Sequence, residues 1–375
     1  LKERVGIIGV GFEGFRPAVA DLSTRELMFE ASSKAYEDAG IDPRKEVGSF
    51  ICCTEDLWEG WSITDEMVPD QVGGARRPVC TVPSDGIVGL GHAVMQINSG
   101  LAEVVTVEAH SKVADVVDKP AVENMALEPV YLRANGVNND VLAGLEMSGF
   151  LARSGFSRED CTAVVVKEKR RALANSRASY AAELSEEEVE GAEPVASPLL
   201  KYDKAEYAEA GITLVLASEG WIRRRNKEAV FIDGIAWRST TPWFEGGEME
   251  RARYASESFA AASKQASVKD VSSFDVMEVD DTYSFKLLQH MRSLGLGRRD
   301  AISMVEGRGS VVNVSGGSLG VGHFIEATGL HRVLECVLQL RGLAGRAQVK
   351  GARRALALSW RGNPTATGAV AILSR

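Results

Sequence analysis

Apolar and polar positions along this chain repeat a grammar of buried strands and amphipathic helices. Residues 5–10 read VGIIGV, a short apolar run of the kind that forms a strand covered on both faces. A helix is predicted from Thr24. Ser23 and Glu26 have the spacing of a capping box, and Leu27, Phe29, Ala31, Ala35 and Ala39 mark an apolar stripe that stops at Gly40. IDPRKEVGS then reads as a turn and SFICC as a second buried strand. Strand, helix and strand in succession imply a parallel pair with a right-handed crossover.

The same pattern returns late in the chain. ASSKAYEDAGIDPRKEVGSF and AASKQASVKDVSSF can be laid over one another, which implies a duplicated α/β half with a period of about 230 residues. A second pair supports it. VPSDGIVGLGHAVMQINSG (82–100) and SGGSLGVGHFIEATGLHRVLECVLQLRG (315–342) are each a glycine-rich turn running into a helix. Helix starts of this kind offer backbone N–H groups to an anion or a developing oxyanion. The predicted organisation is an N-terminal half over 1–110, completed by about 211–225, an inserted lid over 111–210, and a C-terminal half over 226–375. The acid-rich and base-rich runs of the insertion, around 183–194 and 167–177, read as solvated helix faces.

Composition narrows the function classes. The 375 residues are 45% hydrophobic and 25% charged, ordinary for a globular protein with a large core. A net charge of −9 without a polybasic stripe argues against a nucleic-acid surface. No apolar run approaches the roughly 18 residues of a spanning helix, and the start of the sequence lacks a signal-peptide layout, so a cytoplasmic location is expected. Gly9, Gly11 and Gly14 spell G-x-G-x-x-G, but Pro17 separates them from the next helix signal, so a strand-end loop is favoured over a dinucleotide site. The five cysteines and five histidines are dispersed without metal-ligand spacing, and no metal is predicted.

The duplicated half, the insertion, VGIIGVG at the start, DVMEVDDTYS (275–284), NVSGG with the Gly322-His323 pair, and QLRGLAGRAQVKGAR (339–353) together resemble the thiolase superfamily. The likeness is to the sterol-carrier-protein-type and archaeal branch that works with a zinc-ribbon/OB-fold companion subunit. It implies an α/β class with a duplicated thiolase fold, a five-layered αβαβα core, a homodimer, and coenzyme A as acyl carrier. By that resemblance His323 is the activating histidine, and backbone around Asn313, Ser315, Gly316, Gly317 and Gly322 contacts the thioester or pantetheine.

The family's nucleophilic cysteine is missing. PSDG occupies 83–86, so the position falls on Pro83 or Ser84; Ser84 is read as nucleophile, oxyanion donor or helix cap, and Cys80 as a buried small side chain upstream. Asp280 stands where relatives carry His or Asn, and would act as a base or carry a raised pKa. The second family cysteine is replaced within SWRGNPTATG (359–368).

The expected activity is thiolase-type acyl transfer, making or cleaving a carbon–carbon bond in a 3-oxoacyl-CoA with Ser84 and His323. The six tryptophans, with the WEGW and PWFEGG clusters, allow a bulky or aromatic acyl group such as that of benzoylsuccinyl-CoA. One alternative is a retro-aldolase on a β-hydroxyacyl-CoA using Tyr283 and Asp280. The other is a non-catalytic subunit that binds acyl-CoA in a complex.

Overall fold

The computed structural model describes residues 3–58, 62–241, 249–307, 311–362 and 367–375. Its strands are β1 (Val5–Arg16), β2 (Ser49–Cys53), β3 (Val79–Val82), β4 (Val104–Ser111), β5 (Pro194–Ala196), β6 (Leu199–Leu200), β7 (Glu209–Ser218), β8 (Val230–Ser239), β9 (Val276–Val279), β10 (Arg354–Trp360) and β11 (Thr367–Ser374). The first seven helices are α1 (Thr24–Ala39), α2 (Pro43–Glu46), α3 (Gly86–Ser99), α4 (Lys119–Met125), α5 (Asn139–Ser154), α6 (Arg158–Ala172) and α7 (Glu186–Glu190). They are followed by α8 (Glu219–Arg225), α9 (Arg253–Ala266), α10 (Ser284–Ser293), α11 (Arg298–Glu306), α12 (Gly317–Val321) and α13 (Thr328–Arg341).

Strand pairing makes the duplication explicit. The large sheet has the order β3-β2-β4-β7-β1-β8-β11-β10-β9. In the first half β2 and β4 are parallel, while β4–β7 and β7–β1 are antiparallel. In the second half β9 and β10 are parallel, while β10–β11 and β11–β8 are antiparallel. The halves meet through a short β1–β8 pairing over Val5–Ile7. Helices α3 and α13 pack on each other and on strands of both halves; α1 covers the first half and α9 the second. Three apolar clusters fill the spaces between these layers, one around α3 and α13, one under α1, and one under α9 and α10. This is the αβαβα arrangement expected from the sequence. No helix among the described residues is long and apolar enough to cross a membrane.

Three local expectations need correction. First, β1 and β2 are not neighbours, because β7 and β4 lie between them. Second, Gly9, Gly11 and Gly14 are inside β1 and not in a strand-end loop. A Cβ on Gly11 would stand 2.1 Å from the Ala31 carbonyl oxygen, and one on Gly9 2.4 Å from that of Ala35. These glycines let the α1 backbone lie directly on the sheet. The α1 start itself is as predicted, with a Ser23–Glu26 capping box and Gly40 at φ 62°, but Phe29 is exposed and the buried stripe runs through Leu27, Met28, Ala31, Ala35 and Tyr36.

Third, the segment expected to be a solvated lid is partly core. Met147, Phe150, Val164 and Val165 are fully buried, and so is Glu168 in the base-rich run. The cause is α6, which packs against α10 and α12 of the second half.

Candidate active site

The two stretches that carried the motif reading, DDTY and GHF, are brought together by the end of the insertion. The extended segment before β7 bridges Lys204 to Tyr283 on one side and Tyr207 to His323 on the other. Around this junction lies a cavity of about 160 Å³. Its lining includes His323, Tyr283, Thr282, Tyr207, Lys204, Asn139, Glu123, Glu55, Trp58, Trp360 and Arg361.

His323 is the best-defined group in it. Its backbone N–H donates to Glu206 O at 2.8 Å, and its Nδ1 lies 3.1 Å from Thr328 Oγ1. Thr328 Oγ1 also accepts the Phe324 N–H at 3.0 Å. The arrangement that satisfies every group has the Thr328 hydroxyl donating to Nδ1, which leaves the imidazole proton on Nε2. Burial pushes the His323 pKa down to about 4, with Asp280 pulling the other way. The ring is therefore a neutral N–H donor at ordinary pH.

Two phenols face the same space. Tyr207 donates to Glu123 Oε1 at 2.6 Å, and its ring lies 5.4 Å from that of His323. Tyr283 OH is 3.4 Å from Asp140 Oδ1, which also pairs with Lys204 at 2.8 Å. Burial, reinforced by those carboxylates, raises both phenols well above the ordinary tyrosine range. Arg361 is held between Glu55 and Glu326. Trp360 is fixed by Lys286, whose ammonium lies 4.1 Å from the ring centroid and 2.6 Å from Glu146. Thr282 and Trp360 line the cavity, and their buried Oγ1 and Nε1 atoms have no hydrogen-bond partner among the described residues.

The remaining sequence-predicted residues have other duties. Ser84 is half-buried, is not among the residues lining this cavity, and does not cap α3; Asp85 does, accepting the Ile87 N–H at 2.9 Å. Burial raises the Asp85 carboxyl to about 6, while the Ser359 hydroxyl and the Ile87 N–H oppose the rise. Cys80 is exposed rather than buried, because β3 is an edge strand. Asp280 is buried and lies behind the cavity wall. Burial alone would raise its carboxyl, but Arg332 at 3.1 Å, His290 and the Thr282 N–H outweigh that and hold it below the usual range. It is an ion-pair partner of Arg332, and the raised pKa, one of the two expectations from the sequence, is not found.

The glycine-rich turn is a structural lock. Asn313 both donates to Val279 O and accepts from Val279 N. Ser315 binds Glu278 through its amide and its hydroxyl, and Gly317 N donates to Ser315 Oγ. Asp281 takes the amides of Ser318 and Leu319 at 2.6 and 3.1 Å. Gly316 N and Gly322 N donate to backbone carbonyls of the turn. The amides assigned to the thioester are already occupied by the protein's own acceptors. Gly317, at φ 57°, leaves room for the Asp281 carboxylate, which an added Cβ would meet at 2.1 Å.

Glu278 gives a direct test of this lock. Burial pushes its carboxyl up to about 8, with Glu335 adding to the rise and Ser315 opposing it. A group raised on folding stabilises fully below its ordinary value of 4.5, and that stability is lost as pH climbs through about 8. Glu278→Gln is expected to keep the Ser315 contact and flatten the fall in melting temperature between about pH 4.5 and 8. An unchanged slope across that range would show that Glu278 is not the group responsible.

Sequence reasoning missed Tyr207, Glu123, Thr282 and Trp360 as cavity residues. No spacing pointed to the first two, since they sit on separate pieces of the insertion that only packing unites. Trp61 and Trp243 of the tryptophan clusters lie outside the described residues, whereas Trp58 and Trp360 line the cavity.

Comparison with known proteins agrees with this architecture. Residues 248–375 match the family described as thiolase C-terminal domain-like. The chain is 27% identical to an acetyl-CoA acetyltransferase of Methanothermobacter thermautotrophicus over 99% of both chains. It is 26% identical to bovine (Bos taurus) sterol carrier protein 2 over 95% of this chain and 70% of the relative. Among solved structures, a chain of the "Ltp2-ChsH2(DUF35) aldolase" superposes with a TM-score of 0.84 at 21% identity, covering 99% of this chain and 97% of that one. Taken together, these likenesses support the thiolase superfamily, in its sterol-carrier-protein-type and archaeal branch, as the group this chain resembles.

Proposed function

We propose that the protein acts on the carbon–carbon bond beside the thioester carbonyl of an acyl-coenzyme A, cleaving a β-hydroxyacyl-CoA by a retro-aldol route. One observation carries this reading: the described lining of the His323 cavity offers an imidazole, phenols and carboxylates, but no thiol and not Ser84. Thiolysis passes through an acylated nucleophile, whereas a retro-aldol step needs only a base for the hydroxyl and a donor for the enolate. Likeness to the aldolase chain supports the same choice.

In this mechanism the substrate hydroxyl proton passes to the Tyr207 oxygen as the Tyr207 proton passes to Glu123. The O–H electron pair forms the new C=O, and the bond between the α and β carbons breaks. Its electron pair becomes the thioester enolate, held by His323 Nε2–H, with Thr282 and Trp360 lining the same cavity. Return of the proton to the α carbon gives a shorter acyl-CoA and an aldehyde or ketone. Tyr283, lining the same wall, orients the substrate hydroxyl. The aromatic lining and a volume close to that which holds one benzene ring, about 150 Å³, support a bulky or aromatic acyl group. The proposed assembly is a homodimer with a zinc-ribbon/OB-fold companion, in line with the DUF35-containing complex among its structural relatives.

A second reading, thiolysis of a 3-oxoacyl-CoA through Ser84, is favoured by the end-to-end likeness to an acetyl-CoA acetyltransferase. Incubation with a β-hydroxyacyl-CoA should release a carbonyl compound without added CoA. Two thioesters formed from a 3-oxoacyl-CoA and free CoA would instead establish thiolysis. Silence with both, alongside measurable CoA binding, would leave a non-catalytic subunit. Tyr207→Phe and Glu123→Gln are each expected to lower kcat at least about 100-fold with little change in KM, and the double variant should be no worse than either single one. Additive losses would break the proton relay.

A further inference from the structure

We propose that Cys52, Glu108 and His110 form a binding site for one zinc ion, on the α1 side of the sheet and away from the acyl-CoA cavity. Cys52 on β2 lies opposite Glu108 on the parallel neighbour β4. His110 follows two residues along β4 and so faces the same side. All three are buried, at 1, 0 and 2% exposure. Their ligand atoms lie within 4.8 Å of one another. Cys52 Sγ is 2.7 Å from Glu108 Oε2, and His110 Nδ1 is 3.0 Å from Oε1 and 3.3 Å from Oε2.

Thiolate, carboxylate and imidazole are a zinc donor set, and two anions with a neutral imidazole exactly balance a divalent charge that the core could not otherwise accept. Ligands at zinc distances of about 2.0–2.3 Å in a tetrahedron sit roughly 3.3–3.7 Å apart. The 3.3 Å spacing between His110 Nδ1 and Glu108 Oε2 meets that range, and the thiol needs to withdraw by about 1 Å. The fourth position would be filled by water. A cavity of about 10 Å³ abuts His110, bounded by Thr24, Met28 and Thr64, which is close to the space of one water molecule. It shares no lining residue with the His323 cavity. On binding, Cys52 releases its thiol proton and Sγ donates to the metal, so affinity rises with pH. The dispersed sequence positions hid this set because two adjacent strands, and not a local motif, assemble it.

The test uses the full chain, stripped with a chelator and titrated with zinc or cobalt. One zinc per chain, a rise in melting temperature, and a thiolate-to-cobalt charge-transfer band are expected. Zinc-edge X-ray absorption of the unmodified protein should report one sulfur and an imidazole. Cys52→Ser should abolish the band and weaken zinc at least about 100-fold, His110→Gln should weaken zinc while keeping the band, and Cys80→Ser should change neither. Substoichiometric zinc, a first shell without sulfur, or a band that follows Cys80 would overturn the site.

Discussion

His323→Ala is expected to lower kcat by about 100- to 1000-fold, the usual cost of losing one preorganised oxyanion donor, while the protein stays folded. The ring lies at the cavity wall, partly accessible, so its truncation leaves few apolar contacts unmet. The loss should appear in kcat more than in KM, because charge accumulates on the thioester oxygen only as the bond breaks. The pH profile separates this role from that of a base. Burial keeps His323 neutral down to about 4, so activity should show no step near 6.5, the ordinary value for histidine. Its neutral form then persists across the working range, and protonation below about 4 would add charge without supplying a new acceptor. A step near 6.5 that disappears in His323→Ala would replace the neutral donor with a titrating base.

Arg332→Met should destabilise the fold by roughly 3–5 kcal/mol, the cost of stripping the partner from buried charges. The Arg332 side chain is fully buried and reaches four acceptors: Val279 O at 2.9 Å, Asp280 at 3.1 Å, Asp281 at 3.0 Å and Ser318 Oγ at 2.8 Å. It joins α13 to the end of β9 and the start of α12, so its removal leaves two carboxylates facing each other in the core. Lysine should rescue little, since one ammonium cannot span a fork of acceptors. Adding Asp280→Asn to Arg332→Met should recover part of the loss, a coupling that denaturant unfolding can measure. Equal stability of Arg332→Met and the parent would mean that the carboxylates are not charged.

The site was legible in the sequence only where a motif and a place in the fold coincide. His323 and Tyr283, in the GH and DDTY motifs that follow strongly periodic elements, both line the cavity. Asp280 and the turn from Asn313 to Gly317 sit in equally recognisable stretches, yet their polar groups face inward. Spacing along the chain cannot tell an amide that waits for substrate from one already taken by Asp281 or Glu278. Ser84 was chosen by alignment to a helix start; one residue of offset hands the cap to Asp85, and Ser84 is not among the residues lining the cavity.

Hydrophobic periodicity was sufficient for the duplicated α/β halves, the α1 boundaries and the layered core, because burial of apolar faces is a local, repeating demand on the chain. Tertiary packing decided the order of the strands, the partial burial of the insertion, and the meeting of Tyr207 and Glu123 with His323. Polar chemistry depends on which donors and acceptors end up within about 3 Å of each other, and that distance is fixed only when segments remote in sequence close on one another.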